Sequence, residues 1–259
     1  MVELKTAYSL SQIPFISYGA LEEYAEEIMI DFAPKQLTEP APLDVSDFTQ
    51  NYLGLKMESH KLCYDVQVLG FTAFQDGIIS VLDERTSSKE IVTVNAGTVI
   101  IDKSLKSKRN MRRFRFTSAH EGAHWLLHRK AYANDNYFGG NMGGFDIKYL
   151  AAKTGRTDYS RSKLEKTDKD RMERQANFLA AAILMPRPAL RNAYKRFFNS
   201  ISEKPRVLVR GADPKDSYIA KQLTNYIADT FKVSNRAALI RLEKLNAIVD
   251  KEAQMYVVI

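Results

Sequence analysis

Cysteine is almost absent from this chain: Cys63 is the only one in 259 residues. A single thiol excludes an internal disulfide and any zinc site built from several cysteines. Long apolar runs are missing as well. The longest, residues 178–185, falls far short of the roughly 20 residues needed to cross a bilayer. The first residues, MVELKTAYSLSQ, hold no basic stretch followed by an apolar core, so no signal peptide is expected. Together these shortages point to a reducing cytoplasm. Hydrophobic residues at 45% and charged residues at 27% are ordinary for a soluble globular chain and exclude a mainly disordered, collagenous or coiled-coil protein. The length allows one large domain or two small ones, with ample room for a buried core. Histidine is the last scarcity. There are four, and His120, His124 and His128 fall within nine residues.

Acid is missing from one stretch. Residues 103–115 carry seven basic side chains (Lys103, Lys106, Lys108, Arg109, Arg112, Arg113 and Arg115) and no carboxylate, which equals the whole net charge of +7. Such a patch fits an anionic partner or a solvated basic face.

Periodicity organises the rest. Residues 20–33 read as an amphipathic helix, with Leu21, Tyr24, Ala25, Ile28 and Phe32 on one face and Pro34 as its stop. Asp44 reads as the N-cap of a short helix through about Leu53, ended by Gly54. Residues 68–74, 78–82 and 91–94 are short β-branched or aromatic runs, and Gln75-Asp76-Gly77 reads as a hairpin turn between the first two. Residues 99–101 extend or follow the third run. A small, mostly antiparallel sheet is expected. Helix follows from about 112 to 129, and again from Thr167 or Asp168 to Leu184, stopped by Pro186. Between these helices, 131–170 is polar and rich in glycine and asparagine, a long loop of the kind that forms a lid or an irregular insertion. Residues 187–212 read as a basic, mixed segment. Helices at about 216–230 and 234–247 then close the chain before an apolar tail, 255–259.

The chemistry is concentrated in His120-Glu121-Gly122-Ala123-His124. A four-residue step on a helix is about one turn, roughly 6 Å of rise. Both imidazoles therefore leave one face, where each can bond the same zinc ion. Glu121 is too short and off-axis to be a ligand, and suits the general base that takes a proton from water. A catalytic zinc usually has a third protein ligand and an open position. His128 lies about 12 Å along the axis from His120 and suits packing or support of a ligand better than ligation. His60 and Cys63 stay open as upstream alternatives. The best third candidate is Glu173, on a later helix whose small residues Ala176 and Ala180 permit close approach. Asn177, one turn on, can accept a hydrogen bond from a ligand imidazole and set its tautomer. With no other histidine placed for the task, Tyr137, Tyr149 and Tyr159 are candidate donors to a developing oxyanion.

Two blocks resemble the ImmA/IrrE family of metallo-endopeptidases. One runs from Arg115-Phe116-Thr117 through Ala119-His120-Glu121 to His124-Trp125-Leu126-Leu127-His128. The other holds Glu173, Ala176-Asn177, Ala180 and Ile183-Leu184-Met185-Pro186. The likeness covers roughly residues 20–190. It implies an α+β fold: a compact zincin-like domain with a small mostly antiparallel sheet, an active-site helix and a glutamate helix. It implies Zn(2+) held by His120, His124 and Glu173, with Glu121 as general base. It also implies a protein substrate, a repressor-type transcription factor of a stress response or mobile element such as a prophage. The chain departs from the family in Ala123, where members commonly carry Leu-Gly before the second histidine. It departs again in the 48 residues between His124 and Glu173. On this reading 1–200 is the metallopeptidase domain, with 131–170 as an inserted loop or lid, and 201–259 is a C-terminal helical region resembling a helix-turn-helix. Ser234 would cap its second helix, and Arg236, Arg241 and Lys244 would meet phosphates. Two packed closing helices are the commoner outcome of such a pattern. The rival function is a DNA-binding or scaffolding transcriptional regulator that retains a zinc site without proteolysis. Nucleic acid thus stands beside the protein substrate as a candidate partner, and no membrane partner is expected.

Overall fold

The computed structural model describes residues 2, 13, 15–62, 68–83, 85–132, 149–153 and 168–251. It is an α+β chain that divides into two compact units, Met1–Tyr24 with Asp44–Ala180, and Ala25–Leu43 with Ala181–Ile259. Helices α1 (Tyr18–Phe32) and α5 (Asp168–Leu184) each contribute to both. No helix among the described residues is long and apolar enough to cross a membrane.

In the first unit Asp44 accepts from the backbone of Ser46 and Asp47 and so caps α3 (Val45–Asp47). The chain continues as a π-helical turn, Phe48–Tyr52, before Gly54 turns it at φ +68°. A four-stranded sheet follows from β1 (Lys56–His60), β2 (Val68–Ala73), β5 (Thr98–Asp102) and β6 (Tyr149–Lys153), in the order β1-β5-β2-β6. β1 runs parallel to β5, and the other pairs are antiparallel. β3 (Gly77–Leu82) and β4 (Lys89–Val94) form a separate antiparallel pair. The turn Gln75-Asp76-Gly77 therefore does not join paired strands, as its sequence had implied; it carries the chain from one sheet to the other. The reason lies in burial. All of β2 is inside, as a central strand between two partners must be, whereas β3 alternates as a half-exposed hairpin does. β6 falls within the polar 131–170 segment and pairs with β2 from Tyr149↔Ala73 to Val68↔Lys153. Of the proposed loop or lid, 131–170, residues 133–148 and 154–167 lie outside the described residues.

α4 (Met111–Tyr132) packs on β2 and β5. Glycine makes this possible: a Cβ on Gly70 would stand 2.8 Å from the Thr117 methyl. Gly122 lets the helix lie close to the turn before β1, where a Cβ would meet Leu53 at 2.9 Å. Next to Glu173, Met172 packs with Ile13, Phe74, Ala131 and Tyr132. Phe74 stacks on Tyr132 with ring centroids 4.4 Å apart. This cluster holds the start of α5 against the end of α4.

In the second unit Pro34 both stops α1 and opens α2 (Pro34–Thr38), where a missing N–H costs nothing. Residues 187–200 are helix, α6 (Arg187–Ser200), and not the mixed segment expected. Its buried Ala189, Leu190, Ala193, Phe197 and Phe198 keep helical spacing beneath a basic surface. Arg187 pairs with Glu26 at 2.8 Å. β7 (Leu208–Arg210) and β8 (Ile248–Asp250) run parallel, and Arg210 bridges Asp250 and Glu243. Between them α7 (Pro214–Phe231) ends at Lys232 in the left-handed region, and Ser234 caps α8 (Asn235–Lys244) by accepting from Ala237. Arg241 is not a phosphate contact. It is 1% exposed, and its Nε donates to the Met185 carbonyl at 3.2 Å.

Candidate metal centre

The four-residue spacing on α4 and the opening of α5 bring three side chains to one point. His120 Nε2 and His124 Nε2 face each other at 2.9 Å. Glu173 Oε2 lies 3.4 Å from His120 Nε2, and its Oε1 lies 3.6 Å from His124 Nε2. Among the described residues these donor atoms form a group within 4.8 Å of one another that can hold a metal ion. Ligands at zinc distances and a tetrahedral angle stand roughly 3.3 Å apart, so the observed spacings fit one shared ion. Glu173 Oε1 is buried and makes no hydrogen bond, as an oxygen kept for a cation would be.

The electrostatics agree. Burial pushes the Glu173 carboxyl up, but the facing His120 and His124 rings overcome it and hold the group well below the usual carboxylate range. Burial works against charge on both rings. In His120 the Glu173 carboxylate outweighs it and the pKa rises, while in His124 burial and the His120 ring bring it down.

Glu121 points to the sheet. It is fully buried, and its Oε2 accepts from Thr72 Oγ1 of β2 at 2.9 Å; the same hydroxyl lies 3.0 Å from the Glu121 carbonyl oxygen. Thr72 is a partner of Glu121 that sequence reasoning missed. Its signal was a hydroxyl inside the apolar run Val68-Leu69-Gly70-Phe71-Thr72-Ala73.

His128 is outside the metal group and touches it. Its Nδ1 lies 3.0 Å from His124 Nδ1, and its Nε2 lies 3.1 Å from Gln175 Oε1. Gln175 was likewise missed, two positions from Glu173. Asn177 acts on His120 to favour the protonated ring, although His120 Nδ1 completes no hydrogen bond. His60 is elsewhere, on β1 with Glu58 at 3.0 Å. Cys63, Tyr137 and Tyr159 lie outside the described residues, and Tyr149 is the first residue of β6.

Residues 148–243 match a peptidase family model, Peptidase_M78, described as the IrrE N-terminal-like domain. The match bears out the resemblance to the ImmA/IrrE family and supports a metallopeptidase of that type. It takes in Glu173, Gln175 and Asn177. The two histidines precede it and rest on their motif and geometry. No curated protein matches the chain.

Proposed function

We propose that the protein is a zinc-dependent endopeptidase that cuts a regulatory protein, a repressor-type transcription factor of a stress response or mobile element. The observation that carries this reading is the convergence of His120, His124 and Glu173 beside a separate carboxylate, Glu121, on the same helix. Zinc bound there would supply Lewis acidity and bring the pKa of water near 7. The chain supplies the remainder. With only one carboxylate beside two neutral imidazoles, the ligands would leave a bound zinc ion net positive, which suits an oxyanion. Glu121 takes a proton from the attacking water and returns it to the departing amine as the C–N bond breaks. Thr72 fixes the Glu121 carboxyl while the proton moves. The substrate follows from the family resemblance.

The test is to look for a repressor-type protein encoded beside this gene and to incubate the two, with and without a chelator. Wild-type protein should cut it, chelator should stop cleavage, and zinc should restore it. Glu121→Gln should keep the metal and lose about 10²–10⁴-fold in rate. Cleavage by Glu121→Gln at the wild-type rate would refute the general-base assignment.

A further inference from the structure

Behind the metal face, Gln175, His128 and His124 form one hydrogen-bonded chain. Gln175 Oε1 lies 3.1 Å from His128 Nε2, and His128 Nδ1 lies 3.0 Å from His124 Nδ1. His124 then turns Nε2 to His120 and Glu173. The chain is inside the protein: both rings are 0% exposed and Gln175 is 4% exposed.

Each of these bonds needs one proton between its two atoms, and a neutral imidazole owns one. His128 is 0% exposed and its two ring nitrogens meet an amide oxygen and another imidazole, with no carboxylate among the described residues against them to offset a buried charge, so the ring is neutral. The Gln175 oxygen can only accept. His128 therefore carries its proton on Nε2 and presents a bare Nδ1. The proton between the two Nδ1 atoms must then come from His124. That leaves His124 Nε2 with its lone pair directed at the metal position.

The opposite order is self-consistent too. With the Gln175 amide turned about, its NH₂ would donate to His128 Nε2. His128 would then donate from Nδ1, and His124 would carry N–H toward the ion. One amide orientation separates a ring ready for metal from a ring that repels it.

We propose that Gln175 and His128 are positioning residues that set the His124 tautomer, and through it the affinity of the centre for a divalent cation. This rests on the reading of His120, His124 and Glu173 as the metal centre. The chain acts on one ligand only: its bonds run from Gln175 through His128 and end at His124 Nδ1.

Two measurements test it. Nitrogen-15 histidine spectra of the metal-free protein at about pH 8, above the ordinary histidine range, report which nitrogen carries each proton. His124 should be protonated on Nδ1 and His128 on Nε2; the reverse order overturns the proposal. Zinc affinity is then measured by competition with a chromophoric chelator. Gln175→Leu removes the acceptor and should weaken binding roughly 10–100-fold. Gln175→Glu keeps an acceptor and should bind at least as tightly as the wild type. Equal affinity in Gln175→Leu and wild type, or equal loss in both variants, also overturns it. A wild-type chain that binds no zinc would instead overturn the metal-centre reading, and the spectra would still decide the proton order. They decide it as well if a variant fails to fold.

Discussion

The buried face of α4 between residues 117 and 128 includes Thr117, Ser118, His120, Glu121, His124 and His128, whereas that of α7 is mainly Ile219, Ala220, Leu223, Ile227, Ala228 and Phe231. The two helices are of similar length, 22 and 18 residues. Their interiors do different work. α7 removes apolar surface from water, which stabilises a fold at about 25 cal/mol per Å². α4 buries groups whose desolvation is costly unless partners are supplied. Those partners are present: Thr72 for Glu121, Gln175 for His128, His128 for His124, and the Phe114 carbonyl for Ser118. A helix interior built in this way is expected where chemistry, rather than stability, sets the residue types.

The comparison breaks most readily at α7. Phe231 is 0% exposed, and Phe231→Ala should cost about 3–5 kcal/mol of stability by leaving a cavity. Denaturant unfolding measures this, and zinc content of the folded fraction should not change. A loss of zinc at full stability would show that the two helices do not divide their roles in this way. A smaller effect sharpens the other side. Thr72→Val keeps the shape of the strand and deletes the donor to Glu121. Hydrogen bonds to charged groups contribute about 1.5–3 kcal/mol, so turnover should fall roughly tenfold or more. Zinc content should stay at the wild-type value. Turnover unaffected by the valine would mean that Glu121 is positioned without the hydroxyl.

Much of this was legible in the sequence, for local reasons. The histidine helix and the glutamate helix announce themselves by spacing and by their stops; α5 begins at Asp168 and ends at Leu184 as read. The Asp44 and Ser234 caps are also local, because the side chain bonds backbone two or three residues on. α6 was obscured by Arg187, Arg191, Lys195 and Arg196, basic residues that dilute an otherwise regular apolar stripe. β6 was hidden because pairing with β2, and not its own composition, makes it a strand. Thr72 and Gln175 were missed for a related reason. They reach Glu121 and His128 across 49 and 47 positions of sequence, beyond any local pattern.

The central claim is that His120, His124 and Glu173 hold zinc while Glu121 does not. Elemental analysis of wild type, Glu121→Gln and His124→Ala, each purified without added metal, tests it most directly. One zinc ion per chain should accompany the wild type and Glu121→Gln, and none should remain in His124→Ala. A wild-type ratio near zero that zinc titration does not restore would contradict the account.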